Sequence, residues 1–312
     1  MRIVSLLPSA TEIVCELGLS DQLVGVSADS AWSVDVVRAL PILNTVAINP
    51  EQLSSAEIDA AASSGHNMAS LYHVDSERLR ALHPDVILTQ ETCEVCAVSR
   101  GDVELATRTL GYRPDILSLS AANLDQMLDD VSHLAALAGV AERGAQLTSR
   151  LRARIDAVRA AAAGLDRPRV FCMEWLDPPW TAGHWIPEMV ELAGGNDELG
   201  TPGGASRRIE WRDVLDYAPE VVVLMPCSLG LDRVAAEFDV VQTRAGWNDM
   251  PAVRSGSVFA GSTDLFSRAG PRLVDGLDVL ARILHPDVFT QPIPQGQALR
   301  ISSDGRHLVP YQ

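Results

Sequence analysis

Residues 174–185 carry the densest group of side chains that could do chemistry, in the order Glu-Trp-Leu-Asp-Pro-Pro-Trp-Thr-Ala-Gly-His-Trp. Three tryptophans, one histidine and two acids lie within this segment, and the paired prolines restrict its backbone. Rigid aromatic surface with few polar groups suits a large flat ligand, although the tryptophans could instead fill the core between two domains. The residues predicted to contact a ligand here are Glu174, Trp175, Trp180, His184 and Trp185.

A second candidate site is the loop 89–99, which contains Cys93 and Cys96 as a Cys-x-x-Cys pair. Thiolates at this spacing share a metal ion or form a disulfide, and the same residues also pack a tight turn as small apolar groups. No second Cys-x-x-Cys or histidine pair lies nearby in sequence to complete a zinc site. Cys227 and His184 could complete it from elsewhere in the fold, which leaves a metal site, a thiol redox couple and simple packing as alternatives.

The segment 262–272 contains a third group, in which Asp264 and Arg268 are four residues apart. This spacing is typical of a salt bridge on one helix face, but an acid and an arginine at the edge of a cleft could also bind amide or phosphate groups. Phe266 lies between them and is included in the predicted site. The common nucleotide-binding, phosphate-loop, hydrolase and metalloprotease motifs do not occur in the sequence, so we predict that the protein is not an enzyme.

Two stretches of the first half of the chain recur in outline in the second half. Residues 2–19 and 169–195 both run from an apolar strand through a proline-containing loop to a helix that ends in glycine, and residues 79–90 match 214–225 almost step by step. Strands that alternate with helices form parallel sheets, and ligands bind beyond the carboxyl ends of such strands. The further residues predicted to line the site from these ends are Pro8, Ser9, Gln90 and Cys227.

One long amphipathic helix is predicted between the two halves, over residues 141–163. Leu147, Leu151, Ile155 and Val158 form one apolar stripe along it, with arginines on the other faces. Such a helix is a rigid connection and not a flexible linker. The sequence therefore predicts an α/β fold with two similar lobes, each with a parallel-type sheet, joined by a single long α-helix, and a ligand cleft between the lobes.

Length and composition agree with two domains of ordinary size. The chain has 312 residues, of which 47% are hydrophobic, and its net charge of −16 argues against a surface that binds nucleic acid. The predicted segments are an N-terminal α/β lobe (1–122), a helical segment with the long helix (123–166), a C-terminal α/β lobe (167–285) and a peripheral tail (286–312).

No segment that spans a membrane or directs export is predicted. No apolar run approaches the roughly 20 residues of a spanning helix, and the chain enters a strand pattern without the apolar region of a signal peptide. Five cysteines are a poor disulfide framework and suit a reducing compartment. We therefore expect a cytoplasmic protein that is not embedded in a membrane, or a periplasmic or extracellular one if a leader has been removed.

Four segments together resemble a known family: residues 2–12, 82–88, the tryptophan-rich loop 174–185, and residues 263–272. They are similar to the substrate-binding proteins of ABC transporters in the long-helix, two-lobed class with a periplasmic-binding-protein fold, and within it to the cobalamin-binding branch. The absence of a visible export signal points to a cytosolic-looking subgroup. The likeness covers roughly residues 1–285 and is more specific for the fold than for the ligand.

The resemblance implies that the ligand is cobalamin (vitamin B12) or a related corrinoid held between the lobes, with no catalytic cofactor. The aromatic loop would lie against the corrin ring, Asp264 and Arg268 would contact the corrinoid side chains, and His184 would approach the cobalt. It also implies an ABC transporter permease as partner, with Glu104 and Glu237 as the docking acids of the two lobes.

Two alternatives remain open from the residues themselves. The first is a protein that binds haem, an iron chelate or a metal ion through cleft residues, namely Cys93, Cys96, Cys227 and His184. The second is a thiol-based redox protein or enzyme that uses Cys93 and Cys96, which would require a thiol with a lowered pKa in an exposed pocket.

Overall fold

The structure is a computed structural model that describes residues 1–30, 37–46, 52–64, 72–91 and 97–311. Its first half forms an α/β lobe, the N-lobe. In chain order the elements of the N-lobe are β1 (Ile3–Ser5), α1 (Pro8–Glu16), β2 (Leu23–Val26), β3 (Asn44–Val46), α2 (Ser55–Ser64), β4 (Tyr72–Val74), α3 (Ser76–Leu82), β5 (Val86–Thr89), α4 (Arg100–Thr107) and β6 (Asp115–Ser118). The sheet has the order β2–β1–β5–β6 with all neighbours parallel, and β3 pairs with β4 in a separate antiparallel pair.

Two helices that pack against each other follow the N-lobe: α5 (Leu124–Leu137) and α6 (Ala141–Ala162). The predicted apolar stripe of α6 is buried, at Leu147, Leu151, Ile155 and Val158. The hydrophobic cluster around it contains residues from both halves of the chain, such as Ile13 and Leu277. The predicted long helix is therefore present, and it connects the two lobes through a packed core.

The rest of the chain forms a second α/β lobe, the C-lobe. In chain order its elements are β7 (Val170–Trp175), β8 (Trp180–Thr181), β9 (Gly183–His184), α7 (Ile186–Leu192), β10 (Thr201–Pro202), β11 (Arg207–Arg208), α8 (Trp211–Tyr217), β12 (Val221–Leu224), α9 (Leu231–Ala236), α10 (Phe238–Gln242), α11 (Pro251–Arg254), β13 (Val258–Gly261), α12 (Thr263–Phe266), α13 (Leu273–Leu284), β14 (Ala298–Ile301) and β15 (Leu308–Pro310). Its main sheet has the order β11–β8–β7–β12–β13–β14–β15.

The C-lobe sheet is mixed, with a parallel centre as predicted. Strand β12 pairs in parallel with β7 and β13, whereas β8, β11, β14 and β15 add antiparallel neighbours at the edges. The prediction of a peripheral tail over residues 286–312 is wrong in this respect. Strands β14 and β15 extend the sheet, and Ile293, Ala298 and Ile301 are buried. Strands of three or four residues are too short for an alternating pattern to stand out from loop sequence.

The predicted repeat is present in the topology. In the N-lobe, β1 lies parallel to β5 and helix α3 leads into β5; in the C-lobe, β7 lies parallel to β12 and α8 leads into β12. The carboxyl ends of β1 and β7 therefore lead into equivalent loops of the two lobes. Within the part of the chain that the structure describes, no helix is both long and apolar enough to cross a bilayer.

Candidate ligand site between the lobes

Two tryptophans at the carboxyl end of β7 and on β8 contact the N-lobe directly. Trp175 donates a hydrogen bond through Nε1 to the backbone oxygen of Ser55 (3.0 Å), and Trp180 donates to Oδ1 of Asp59 (3.2 Å). Both acceptors belong to α2, so the two indoles face the opposite lobe. The structure thus brings two predicted site residues to the boundary between the lobes, and Trp175 and Trp180 together are called the tryptophan wall below.

Asp59 also binds a charged partner beside the tryptophan wall. Its Oδ2 accepts a hydrogen bond from Nη2 of Arg208 (2.5 Å), and only 10% of the Asp59 side chain is exposed. The same Nη2 donates to Oγ of Ser63 (2.8 Å), while the Arg208 guanidinium lies over the Trp180 ring, 5.7 Å from its centroid. Arg208 therefore links helix α2 of the N-lobe to one face of Trp180.

The segment that leads into α2 meets a second charged pair of the C-lobe. Glu237 accepts a hydrogen bond from the backbone N–H of Ser55 (3.1 Å), and Arg233 donates to the backbone oxygen of Leu53. Arg233 and Glu237 also form an ion pair with each other. Residues 53–63, which make these contacts with the C-lobe, are called the strap below.

The two predicted docking acids occupy different environments. Glu237 lies in the contact with the strap, with 12% of its side chain exposed, and not on an exposed lobe tip. Glu104 is on the N-lobe surface, 53% exposed, where its Oε1 accepts a hydrogen bond from Nε of Arg100 (2.8 Å). Because an exposed i,i+4 pair contributes little free energy, Glu104 can exchange this partner for another cation.

A cluster of charged side chains forms a further contact between the lobes. Glu12 on α1 accepts hydrogen bonds from the backbone N–H of Arg272 (2.7 Å) and from its Nε (2.9 Å). Arg272 also lies 3.4 Å from Asp264, which pairs with Arg268 at 3.0 Å. The predicted salt bridge between Asp264 and Arg268 is thus present, and it belongs to a network that ties α1 to the C-lobe.

Burial shifts the pKa values of this charge cluster. Glu12 is 4% exposed, and desolvation raises its pKa, although the charge and the hydrogen bonds of Arg272 act in the opposite direction. Desolvation likewise lowers the pKa of the Arg268 guanidinium against the attraction of Asp264. Burial raises the pKa of Asp29 in the N-lobe, and the charge of Arg268 partly offsets this rise. Arg268 therefore interacts with acids from both lobes.

The start of α1 differs from the sequence-based expectation. The Ser9-x-x-Glu12 spacing predicts a capping box, but the N-cap residue is Leu7 and Pro8 occupies the first turn. The carboxylate of Glu12 instead binds Arg272, which lies 260 residues later in the chain. Pro8 and Ser9 are buried, so these two predicted site residues pack the carboxyl end of β1.

Gln90 and Glu174 hold loops at the carboxyl ends of β5 and β7. Nε2 of the buried Gln90 donates a hydrogen bond to the backbone oxygen of Ala97 (3.2 Å). Oε2 of Glu174 accepts hydrogen bonds from Oγ of Ser206 (2.7 Å) and from the backbone N–H of Gly183 (3.1 Å), and desolvation raises its pKa. Both side chains therefore position loops of their own lobe.

Trp185, Phe266 and His184 do not join the tryptophan wall. Trp185 packs against the hydrophobic cluster around α6 and donates a hydrogen bond to the backbone oxygen of Phe266 (2.7 Å), whose side chain is buried. The backbone of His184 pairs with Gly203 and Gly204. Its Nδ1 is enclosed without a hydrogen-bond partner among the described residues, and burial lowers its pKa. The His184 side chain as a whole is only half-buried, and its contact with a bound ligand stays a prediction.

Cys227 follows β12, whereas Cys93 and Cys96 lie outside the described residues. Burial, with the nearby charge of Glu174, raises the pKa of the Cys227 thiol to about 11. A thiol with a raised pKa stays protonated, which is the opposite of what a redox nucleophile needs. The described ranges contain no group of three or more His, Cys, Asp and Glu side chains that could hold a metal ion.

Sequence reasoning missed several charged residues that make contacts between the lobes, among them Asp59, Arg208, Arg233 and Arg272. A charged residue in a polar stretch normally belongs to a solvated face, and nothing in the local pattern marks these as exceptions. The available signal was Glu12, which directly precedes Ile13 and Val14 on a helix that must pack on the sheet. An acid in that position requires a partner, but the sequence does not say which one.

Comparison with known proteins identifies the family of the chain. A family model described as periplasmic binding protein matches residues 3–265. Over 298 residues the chain is 24% identical to the uncharacterized ABC transporter substrate-binding lipoprotein YvrC of Bacillus subtilis, which covers 93% of this chain and 82% of that protein. Over 280 residues it is 27% identical to a vitamin B12-binding protein of Yersinia pestis, and this alignment covers 88% of this chain and 82% of that protein.

The fold is shared with a solved structure of the periplasmic heme-binding protein RhuT from Roseiflexus. The TM-score is 0.69 at 21% identity, and the match covers 92% of this chain and 99% of that one. At this identity the similarity concerns the fold alone, and it confirms the predicted two-lobed α/β architecture. The predicted relationship to substrate-binding proteins of ABC transporters is confirmed by the family match. The chain belongs to the periplasmic binding protein family.

Proposed function

We propose that this chain is the substrate-binding protein of an ABC transporter and that it binds a corrinoid between its lobes. The observation that carries the proposal is the tryptophan wall, whose indoles face the opposite lobe beyond the carboxyl end of β7. A flat macrocycle gains most from such rigid aromatic surface. The similarity to a vitamin B12-binding protein supports a corrin as this macrocycle.

The charge cluster supplies the polar part of the proposed site. A corrin ring carries amide side chains, and carboxylate and guanidinium groups bind amides through charge-assisted hydrogen bonds. Asp264 and Arg268 lie at the contact between the lobes, where they already pair with each other and with Arg272. A ligand amide would therefore share these charges with the network and would not replace it.

We also propose that the protein works outside the cytoplasm together with a membrane permease. The Bacillus subtilis relative is a lipoprotein and the family is one of periplasmic proteins, which supports export and gives no support to the cytoplasmic prediction. Glu104 stays the proposed docking acid of the N-lobe, because it is exposed. Glu237 is a weaker candidate for the C-lobe, because the strap contact already uses its carboxylate.

A porphyrin is the second candidate ligand, because the tryptophan wall does not distinguish one flat macrocycle from another. Binding through thiols, or redox chemistry by Cys93 and Cys96, stays a prediction of the sequence. The raised pKa of Cys227 argues against a redox role for that third thiol.

Isothermal titration calorimetry with cyanocobalamin, and in parallel with hemin, tests the proposal. We expect saturable binding of cyanocobalamin. Replacing Trp180 by Leu should weaken it by about three- to tenfold, since an aromatic contact contributes roughly 0.5–1.5 kcal/mol beyond its buried area. The stacking surface that is lost outweighs the single hydrogen bond to Asp59 that is lost with it.

Trp211→Leu is the matched control. Trp211 stacks on Trp247, and its Nε1 donates to the backbone oxygen of Ala245 (2.9 Å), so its indole edge is bonded within the C-lobe and not to the strap. Its replacement should leave the affinity for cyanocobalamin unchanged. Binding of hemin but not cyanocobalamin at roughly 100 μM would assign the site to porphyrins, and binding of neither would refute the proposal.

A further inference from the structure

We infer that the strap is an autoinhibitory contact: it covers the tryptophan wall, and strap and ligand compete for that surface. The inference rests on the proposed function, because it assigns the strap a role at the same site. It is carried by the hydrogen bonds between the strap and the edges of both indoles, and by Arg208, which the strap holds over one face of Trp180.

The strap uses the polar edge of the tryptophan wall. The indole N–H groups of both tryptophans donate to strap atoms, the backbone oxygen of Ser55 and the carboxylate of Asp59. Between these two residues, Ile58 packs against the hydrophobic cluster of the C-lobe to which Trp175 also belongs. The strap therefore satisfies the polar groups of the wall and covers apolar surface beside it.

The strap also holds Arg208 over one face of Trp180. Asp59 and Ser63 both accept hydrogen bonds from Nη2 of Arg208, and the guanidinium lies above the ring. A macrocycle that stacks on this face must first displace the guanidinium. Because 51% of the Arg208 side chain is exposed, packing alone does not fix its position. The hydrogen bonds to Asp59 and Ser63 hold it over the ring.

A strap that closes over bound ligand would be the opposite arrangement, and the distances argue against it. The indole nitrogens lie 3.0 and 3.2 Å from their strap acceptors. A ring inserted between wall and strap would need roughly 3.5 Å on each of its two sides. These distances concern the indole edges; on the face of Trp180 that Arg208 covers, a flat ligand must displace the guanidinium from its two strap acceptors.

Asp59→Ala and Arg208→Ala test the inference, with Arg207→Ala as the matched control. Arg207 is the neighbouring residue on the same short strand, and it donates to the backbone oxygen of Leu199 within the C-lobe (3.3 Å). Hydrogen–deuterium exchange over residues 52–64 reports on the strap without ligand. We expect faster exchange in the Asp59 and Arg208 variants, and wild-type rates in the control.

Affinity provides the second measurement. If strap and ligand compete, releasing the strap raises the fraction of molecules whose tryptophan wall is free to bind ligand. The two variants should therefore bind cyanocobalamin about three- to tenfold more tightly than the wild type. Adding cyanocobalamin to the wild type should likewise accelerate exchange of the strap amides.

Each contrary result has a distinct meaning. Unchanged or weaker binding by both variants, or slower strap exchange when cyanocobalamin is added, would overturn the autoinhibitory role while the proposed function stands. Unchanged ligand-free exchange in both variants would show that these contacts do not hold the strap, which also overturns it. If neither the wild type nor the variants bind cyanocobalamin or hemin, the proposed function fails and the inference fails with it.

Discussion

The helix-to-strand turns before β5 and β12 occupy equivalent places in the two lobes. His83 ends α3 with a φ of 45° and Ala218 ends α8 with a φ of 50°, and each precedes a proline and an acid. Asp85 in the N-lobe accepts a hydrogen bond from the backbone N–H of Arg2 (2.7 Å). In the C-lobe the same bond joins Glu220 to the backbone N–H of Arg169 (3.0 Å). The repeat therefore extends to individual hydrogen bonds.

The first helix of each lobe also carries a glutamate that binds the N-terminus of a distant helix. Glu12 of α1 accepts from the backbone N–H of Arg272 before α13, and Glu188 of α7 accepts from the backbone N–H of Leu124 at the start of α5 (2.9 Å). Burial raises the pKa of both carboxyl groups. Glu12 has in addition the guanidinium of Arg272, which is where the two lobes begin to differ.

Among the described residues, the carboxyl ends of the central strands differ between the two lobes. In the N-lobe, buried hydroxyl groups bond to each other, Thr11 to Ser5 (2.8 Å) and Ser27 to Ser30 (2.7 Å). In the C-lobe the equivalent edge presents the tryptophan wall. Core packing constrains the shared scaffold in both lobes, whereas loops beyond the strand ends carry fewer such constraints and can specialise for a ligand.

Arg272→Ala tests the difference between Glu12 and Glu188, and we expect it to have the largest effect. The buried Glu12 carboxyl loses its guanidinium partner, so the free energy of unfolding at about pH 8 should fall by about 3–5 kcal/mol. The pKa of Glu12, already raised by burial, rises further. The folded state then binds a proton as the pH falls, so the loss should shrink toward about pH 5. Urea denaturation at both pH values measures this loss in the free energy of unfolding.

Arg254→Ala is the control for this prediction. Arg254 pairs with Asp249 at 2.9 Å, but 66% and 80% of the two side chains are exposed. An exposed pair contributes about 0–1 kcal/mol, so the variant should unfold close to the wild type at both pH values. An equally small loss for Arg272→Ala would show that the lobes are not coupled through Glu12.

Asp197→Asn tests whether the turns that follow α1 and α7 differ in their electrostatics, and we expect an intermediate effect. Burial raises the pKa of Asp197 to about 7, so the folded state binds a proton that the unfolded chain has released. The contribution of Asp197 to the free energy of unfolding is therefore present at low pH and is lost as the pH rises. The loss is about 1 kcal/mol per pH unit between roughly pH 5 and 7. The variant should lack this loss in denaturation curves recorded across that range.

Asp21→Asn is the matched control in the N-lobe. Asp21 follows Gly18 by three residues, as Asp197 follows Gly194, and both glycines have positive φ. Because Asp21 is exposed, its replacement should leave the wild-type pH dependence intact. If Asp197→Asn keeps the wild-type slope as well, the two turns are electrostatically equivalent and the proposed difference is wrong.

Ala218→Gly and His83→Gly test the shared turn, with the smallest expected effect. Both native residues have the left-handed conformation that glycine adopts without strain, so Ala218→Gly should stabilise the protein by about 1 kcal/mol. His83 also stacks on Tyr112, with ring centroids 3.9 Å apart, and loses this contact on replacement. Thermal unfolding should therefore show a smaller gain, or a loss, for His83→Gly. Equal gains would mean that the stack contributes nothing.

Local patterns were sufficient to predict the scaffold. The predicted helix over residues 141–163 is found at Ala141–Ala162, because its apolar stripe can be read within one helix. The repeat is also recognisable from short segments, and it predicted equivalent strand ends in the two lobes. Where the pattern was only a few residues long, as in β14 and β15, the prediction of a tail was wrong.

The candidate site was predictable only in part. Trp175 and Trp180 stood out because of their residue type and their rigid loop, and both lie at the boundary between the lobes. Trp185 and His184 belong to the same loop, but a strand reversal and the start of α7 carry them to other surroundings. Sequence proximity therefore grouped residues that the chain reversal separates.

Which charged residues become partners depends on how distant elements pack. Asp59 and Arg208 are 149 residues apart, and Glu12 and Arg272 are 260 residues apart. Periodicity reports which side chains share a face of one element, whereas an ion pair depends on two elements meeting and on the burial that they create together. Two similar lobes and an aromatic loop between them could be predicted from the residues alone. How the strap of one lobe lies on the tryptophans of the other was decided by the packing of the whole chain.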